Sequence, residues 1–134
     1  MAEAEHGERG RSAEEHFSEA PLALEVYTRV ATLLESLGGA EVKVSKTQVG
    51  FSRRRGFAWV WTPPGRNPAT SPAILSIAYT HRIVSDRFRE VVQPRPNIWQ
   101  HHLWVENPAQ LDEEVFAWLE AAYDDAGPDS APPA

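Results

Sequence analysis

The sequence contains no cysteine and no long apolar run, and each absence excludes a class of protein. Without cysteine the chain cannot form a disulfide framework, a thiolate zinc site or a cysteine nucleophile. No stretch approaches the roughly 18 uncharged apolar residues that a membrane span needs, and the polar N-terminus lacks the apolar core of a secretory signal. We therefore expect a soluble, cytoplasmic protein with no membrane partner.

Familiar catalytic and phosphate-binding motifs are missing as well. No G-x-S-x-G elbow surrounds any serine. The only glycine pair, Gly38-Gly39, follows a helical pattern, whereas a phosphate-binding loop leads into a helix. The acidic clusters at 112–114 and 124–125 fall at predicted helix ends, where capping and solvation explain them. The sequence identifies no catalytic residue, predicts no cofactor, and favours a protein that is not an enzyme.

Length and composition predict one folded domain with loose ends. A chain of 134 residues, 42% of them hydrophobic, is long enough to build one core. Residues 1–16 are polar and acidic without apolar periodicity, and residues 125–134 consist only of Gly, Pro, Ala, Ser and Asp. We predict disordered tails at 1–16 and 125–134, removable without loss of the fold, around a single domain at 17–124.

Charge is distributed unevenly along the chain. The formal net charge is −6, yet residues 42–95 hold ten Lys and Arg residues against Asp86 and Glu90. Such a separation predicts a basic face that attracts anions. The alternative is an ordinary solvated sheet surface, partly neutralised by the acidic helices on either side.

Two amphipathic helices are predicted, one at each end of the domain. From position 21 to position 37 apolar residues recur every three or four positions, with Ser18 as a candidate N-cap and a glycine pair as the terminator. Near the C-terminus, Asn107-Pro108 followed by Gln110 has the form of a helix start. The apolar face of this second helix consists of Val115, Trp118, Leu119, Ala122 and Tyr123.

Between the helices the apolar period changes to two, and runs rich in aromatic and β-branched residues follow. These patterns predict strands near residues 42–45, 48–52, 57–61, 74–79 and 99–105. The second and third form a hairpin with a basic tip at positions 53–55, while residues 81–96 are irregular. The strands follow one another too closely for parallel crossovers. We predict an α+β fold with an antiparallel sheet of four to five strands and two helices on one face.

Strand alternation assigns side chains to the two faces of this sheet. The residues predicted to face the helices are Val42, Val44, Val49, Phe51, Phe57, Trp59, Leu75, Ile77, Leu103 and Val105. The other face then has small residues at its centre, Gly50, Ala58, Ser76 and Ala78, with Gln48, His102 and Trp104 as a rim. This predicts a shallow depression suited to a ligand, a loop or a second subunit. The alternative is a strand out of register, with the small residues beneath the helices.

Adjacent histidines are the most suggestive residues for chemistry. His101 and His102 lie in a predicted strand, so they point to opposite faces and cannot easily share one metal ion. His102 can meet His81 across strands, with Asp86 as a third ligand, but nothing in the spacing requires it. We expect structural roles for these histidines and no metal site.

Four segments together resemble one bacterial family. They are residues 44–51 (VSKTQVGF), residues 53–60 (RRRGFAWV), the pair His101-His102, and residues 111–115 (LDEEV) with Trp118-Leu119. The sequence is similar here to the domain of unknown function 5655, over about residues 17–124. The resemblance implies a small α+β domain that occurs alone or appended to other domains. It implies no activity, and no catalytic residue is carried over from it.

These observations favour a non-catalytic binding or accessory module that recognises a small anionic ligand or an acidic protein partner through region 42–95. The candidate ligand-binding residues are Lys46, Gln48, Arg53, Arg54, His102 and Trp104. Three alternatives stay open: a nucleic-acid-associated domain, suggested by the arginines at 53–55 beside aromatic residues; an enzyme of unrecognised type using His102 or Lys46; and a dimerisation module using the uncovered sheet face. The chain is then a monomer or a homodimer.

Overall fold

Six antiparallel strands form the sheet in the computed structural model of the protein, which describes residues 11–127. They are β1 (Glu41–Val44), β2 (Gln48–Ser52), β3 (Gly56–Trp61), β4 (Ala73–Tyr79), β5 (Glu90–Arg95) and β6 (Ile98–Val105). Their order across the sheet is β1-β2-β3-β4-β6-β5. The α+β class and the antiparallel sheet are confirmed, whereas the predicted four to five strands are too few.

The strand that the sequence did not reveal is β5, at one edge of the sheet. It falls in the stretch 81–96, whose pattern looked irregular. Pro94 lacks a backbone N–H, and most of the β5 side chains are exposed. An edge strand that buries so little side-chain surface leaves no clear alternation in the sequence.

Three helices accompany the sheet, where two were predicted. They are α1 (Ala13–His16), α2 (Pro21–Leu37) and α3 (Glu113–Asp125), and a 3-10 turn at Pro108–Gln110 precedes α3. No helix within residues 11–127 is both long enough and apolar enough to cross a membrane.

Two helix starts differ from those predicted. The N-cap residue of α2 is Ala20, which supplies no side-chain hydrogen bond, so Ser18 is not the cap. Asn107 caps the 3-10 turn, and Gln110 returns the bond to its backbone. The helix α3 has its own cap, Asp112, which accepts a backbone N–H of the first turn. The capping pattern at 107–110 therefore marks a separate turn that leads into α3.

The folded part begins before residue 17 and ends after residue 124. Ser12 and Glu15 cap α1 by a reciprocal pair of hydrogen bonds, and Ala13 is buried. At the other end Asp125 is the last residue of α3, and Ala126 is buried. The predicted tails at 1–16 and 125–134 therefore each include folded residues next to the domain. Residues 1–10 and 128–134 of these tails lie outside the described residues.

The helices α2 and α3 cover one face of the sheet and form the core with it. Val30 of α2 and Leu119 of α3 are fully buried in one cluster with the strand residues Val60, Leu75 and Leu103. Burying such an aliphatic side chain stabilises a fold by about 1.5–3 kcal/mol. The core therefore lies between this face and the two long helices, and the opposite face has no helix on it.

A bulge in β3 decides which of its side chains face the helices. The pairing shifts between Phe51 and Ser52 of β2, so Phe57 is an extra residue in β3. Phe57 and Ala58 both lie in the core, and Trp59 moves to the face without helices. The predicted orientations of Ala58 and Trp59 are therefore wrong, and the alternative of a strand out of register is correct for β3.

Candidate functional site

Two rows of paired residues cross the open face, the side of the sheet turned away from α2 and α3. The first row consists of Lys43, Gly50, Trp59, Ser76, His102 and Glu90. The second consists of Gln48, Trp61, Ile74 and Trp104. Directly paired residues of antiparallel strands lie within about 5.5 Å of each other. Three of the five tryptophans of the chain are thus neighbours on one face.

The indole ring of Trp59 lies across two glycines. A Cβ atom added at Gly50 would come within 2.7 Å of the Cδ1 atom of Trp59, and one added at Gly56 would come within 2.7 Å of its Cζ2 atom. Any larger residue at either position would collide with the ring. The depression predicted around Gly50 is therefore absent, because the protein's own indole fills it.

A basic pocket of about 360 Å³ opens beside Trp59, where β1 meets the β2–β3 hairpin. Its wall contains four cationic side chains and one carboxylate: Lys43, Arg53, Arg54, Arg55 and Glu41. The pocket also includes Trp59 and both of the glycines beneath it. Four of the ten cations of residues 42–95 therefore line one pocket at a corner of the sheet.

Two of these arginines are held by the C-terminal end of α3. Arg53 donates to the backbone carbonyl of Tyr123 at 2.8 Å, and its guanidinium lies 3.8 Å from the centroid of the Tyr123 ring. Arg55 forms a salt bridge with Asp125 at 3.0 Å. A helix C-terminus has unpaired carbonyls and partial negative charge. Arg53 and Arg55 therefore fix the hairpin to the helix.

The other two cations of the pocket, Lys43 and Arg54, are exposed. Within residues 11–127 neither forms a salt bridge. The stem of Arg54 packs beside Gly127, where an added Cβ would lie 3.1 Å from the arginine Cδ atom. The charges of Lys43 and Arg54 are thus the ones that a ligand in the pocket can neutralise.

A hydrogen-bonded chain lies next to the pocket on the open face. Trp61 donates its indole N–H to Ser76 Oγ at 2.9 Å, and this oxygen lies 2.7 Å from Nδ1 of His102. Burial lowers the pKa of His102, while the carboxylate of Glu90 acts in the opposite direction. Ser76 is only 2% exposed. The serine–histidine pair therefore offers no accessible nucleophile and ties β3, β4 and β6 together.

Trp104 marks the far side of the open face and has arginines over its ring. The guanidinium of Arg89 lies 3.9 Å from the ring centroid, and that of Arg66 lies 5.4 Å from it. Such cation–π contacts contribute about 0.5–1 kcal/mol at exposed sites. They position two further cations on the same face as the basic pocket.

Comparison with known proteins identifies the family. The family model described as Domain of unknown function (DUF5655) matches residues 13–126. The chain belongs to this family. The match starts at the first residue of α1 and ends one residue after α3, so it spans every helix and strand of the described structure. No curated protein and no solved structure matches the chain.

The predicted ligand residues of this DUF5655 domain do not converge. Gln48, His102 and Trp104 share the open face, whereas Arg53 and Arg54 lie at one end of β2, in the basic pocket. Lys46 lies beyond the other end of β2, in the turn from β1. The six residues thus fall in three places.

Lys46 lines a different cavity, of about 520 Å³, together with Arg11 and His16. Arg11 donates to Nδ1 of His16 at 2.8 Å. Burial, and secondly the charge of Arg11, lower the pKa of His16. Glu15 and Glu19 also line this cavity and offset its positive charge. The cations and carboxylates of this cavity are therefore balanced, unlike those of the basic pocket.

Sequence reasoning missed Lys43 and Trp59 as site residues. Lys43 alternates with two valines, so the sequence did indicate that it points away from the core. No comparable signal existed for Trp59, since strict alternation from Phe57 onward placed it under the helices. Only the bulge brings it to the open face.

The histidines do not form a metal centre within residues 11–127. No three His, Asp or Glu side chains of this part of the chain lie close enough to hold a metal ion, so His81, Asp86 and His102 are not brought together. His101 is buried in the core, and His102 lies on the open face. The prediction that the adjacent pair points to opposite faces is confirmed.

Proposed function

We propose that this DUF5655 domain is a non-catalytic binding module that takes an anionic ligand in the basic pocket. The observation that carries the proposal is the composition of the wall, in which four cations face one carboxylate around about 360 Å³ of space. A pocket lined by one sign of charge concentrates ions of the opposite sign. The overall charge of −6 does not prevent this, since charges beyond about 10 Å are largely screened at 0.1 M salt.

The four cations of the pocket have different tasks in this proposal. Arg53 and Arg55 are fixed by Tyr123 and Asp125, so they hold the hairpin in place before a ligand arrives. Lys43 and Arg54 are exposed, and they supply the charged donors that reach the ligand. A site that is arranged in advance loses less entropy on binding. The pocket volume of about 360 Å³ favours a small anion over an extended acidic partner.

A second candidate function, binding of single-stranded nucleic acid, is favoured by the tryptophans of the open face. Trp59, Trp61 and Trp104 lie on one side of an antiparallel sheet, and Arg66 and Arg89 lie over Trp104. Nucleic-acid-binding sheets use aromatic rings as stacking surfaces and cations for the phosphates. In this chain, however, Arg89 already covers Trp104, and Trp61 lies against Ser76. The basic pocket is therefore the better supported site.

The proposal is tested by titrating the protein with inorganic pyrophosphate in a calorimeter, at about 20 mM and about 200 mM salt, where screening differs strongly. We expect saturable binding that weakens with salt. Replacing both Lys43 and Arg54 with Gln is expected to weaken it about tenfold, which corresponds to about 1.4 kcal/mol. The matched control is Arg95→Gln, an exposed arginine on the opposite edge strand. Absence of binding at low salt, or equal loss in the control, would refute the proposal.

A further inference from the structure

We infer that the ligand of the basic pocket joins a planar aromatic ring to its anionic group, and that the ring stacks on Trp59. This inference rests on the proposed function, because it assigns the second half of the same ligand. Its chemistry is that of a nucleotide, in which a base and a phosphate are linked by a sugar.

Two glycines support the ring of Trp59 from beneath. Gly50 and Gly56 leave no side chain under the ring, and the ring spans both, with Cδ1 over one glycine and Cζ2 over the other. The indole is therefore held against backbone along its length. An aromatic ring supported in this way offers a stacking surface that does not have to be ordered when a ligand binds.

The ring of Trp59 also borders the basic pocket. Trp59 is half-buried and forms part of the pocket wall. One edge of the indole lies against the two glycines, and Trp59 and both glycines line the pocket. Lys43 and Arg54, which form no salt bridge within the described residues, line the same pocket as the ring.

Lys43 and Arg54 lie within reach of a small ligand whose ring is stacked on Trp59. Lys43 pairs with Gly50, and Gly50 pairs with Trp59, so the three lie in one row across β1, β2 and β3. Neighbouring strands are about 4.8 Å apart, which places the lysine backbone about 10 Å from that of the tryptophan. Arg54 borders the same pocket from the hairpin tip. An anionic group near the two cations and a ring on Trp59 can thus belong to one small molecule.

Two ligands that differ only in the ring provide the test. Adenosine 5′-monophosphate and ribose 5-phosphate have the same sugar and phosphate, and only the first has a base. We expect the nucleotide to bind about tenfold more tightly, as stacking of one base on an aromatic side chain allows. Trp59→Leu is expected to remove this difference, by weakening the binding of the nucleotide more than that of ribose 5-phosphate.

Two further variants separate stacking from a general effect on the fold. Trp99→Leu replaces a half-buried tryptophan of β6 outside the pocket, and it should keep the tenfold difference. Gly50→Ala should push the indole off its support and reduce the difference while Lys43 and Arg54 remain. Thermal unfolding of each variant shows that it is folded at the titration temperature. A short oligothymidylate, titrated in parallel, shows whether the protein prefers a free nucleotide or a nucleotide within a single strand.

The titrations distinguish failure of the stacking inference from failure of the proposed anion site. Equal affinity of the wild-type protein for the two ligands would overturn the inference and leave the proposed anion site standing. Failure of both ligands and of pyrophosphate to bind would overturn the proposed function as well. A tenfold preference for the nucleotide that survives in Trp59→Leu would place the ring elsewhere and refute the role of Trp59.

Discussion

His101 and His102 show how neighbouring side chains of identical chemistry acquire different roles. In a strand, successive residues point to opposite faces. His101 is 0% exposed in the core, where its Nδ1 lies 3.1 Å from the carbonyl of Ile77 and its Nε2 accepts the backbone N–H of Ile83 at 2.9 Å. The second bond requires an unprotonated Nε2, so Nδ1 has the proton and donates. The ring is thus neutral and ties the irregular loop after β4 to the sheet.

This bonding predicts that the stability of the protein falls in mild acid. Burial, as the largest cause, lowers the pKa of His101 below its usual value near 6.5. The unfolded chain therefore takes up the proton at a higher pH than the folded one. The contribution of His101 to the free energy of unfolding is complete above about pH 6.5 and is lost as the pH falls toward the lowered pKa.

The variant His101→Phe isolates this effect, because it keeps a ring between Tyr79 and Phe88 but cannot bond to Ile83. Near pH 7.5 we expect it to be less stable by about 1–3 kcal/mol, because the part-buried N–H of Ile83 and the buried carbonyl of Ile77 both lose their bond to the imidazole. Urea unfolding at several pH values should show the gap to the wild type narrowing toward pH 5. The exposed His81→Gln serves as the control. A difference in the free energy of unfolding between variant and wild type that stays constant with pH would contradict a neutral His101 bonded to Ile83.

Trp59 shows why a single residue can escape sequence analysis. Strict alternation along β3 assigns Phe57 and Trp59 to the same face, and nothing in the composition of the strand signals a bulge. The extra residue is visible only in the pairing with β2, where Phe51 meets Ala58 but Ser52 meets Gly56. A one-residue shift exchanges the faces of all subsequent side chains. The place of Trp59 in the candidate site depended on this shift and could not be predicted, whereas Arg53 and Arg54 of the same pocket were predicted from the sequence.

The β2–β3 hairpin and α3 stabilise each other through their ends. The hairpin tip is rich in arginine, and α3 ends without a basic residue in its last turn. Arg53 and Arg55 supply that missing positive charge from another element, which matches the partial negative charge of a helix C-terminus. The sequence predicted both the basic tip and the helix. It could not predict their contact, because 70 residues separate the partners.

Asp125 is the centre of this contact, and removing its carboxylate is expected to destabilise the domain. The carboxylate accepts the backbone N–H of Thr80 at 2.9 Å and pairs with Arg55 at 3.0 Å. Burial alone would raise the pKa of this carboxyl, but the bonds from Thr80 and Arg55 together hold it below the usual value. Its stabilising effect is therefore present above about pH 3.9 and is lost as the pH falls through the lowered pKa.

We expect Asp125→Ala to lower the free energy of unfolding by about 1–2 kcal/mol at neutral pH, since it leaves Arg55 and the Thr80 N–H without their partner. The preceding residue offers a matched control, because Asp124 is an exposed acid on the same helix turn and forms no salt bridge within residues 11–127. Asp124→Ala should change stability by less than about 0.5 kcal/mol. Equal effects of the two substitutions, measured by urea unfolding at pH 7, would show that the contact contributes nothing specific.

Across the entire domain, the sequence predicted the elements that have a strong apolar period and missed those that do not. The helix at 21–37 and the strands around Phe51 and Ile77 follow their patterns closely, and the strand around Val60 was predicted in its position but not in the faces of its side chains. The exposed edge strand β5 and the four-residue helix α1 have too few buried residues to produce a pattern. The family resemblance depended on the same strong segments, and it was confirmed over residues 13–126.

The helix α1 also bears on how much of the chain the fold requires. The acidic composition of residues 1–16 suggested that all of them are dispensable. Yet Ala13 is 4% exposed and belongs to the core cluster, and the ring of His16 meets that of Phe17 at 4.7 Å, edge to face. Phe17 itself is 2% exposed. Removal of α1 would therefore uncover apolar surface in the core.

We predict that deleting residues 1–16 lowers the stability by about 1–2 kcal/mol, through the lost burial of Ala13 and the exposure of Phe17. For a domain of this size that corresponds to a fall in Tm of roughly 4 °C per kcal/mol. Unfolding stays cooperative because the sheet and both long helices remain. The reference is a chain lacking residues 1–10, so that the difference reports on residues 11–16 alone. Phe17→Ala in the full chain should cost more, about 3–5 kcal/mol, as truncation of a buried phenylalanine does. Identical melting temperatures of the two shortened chains would mean that α1 contributes nothing, and that the original expectation of a dispensable segment up to residue 16 was correct.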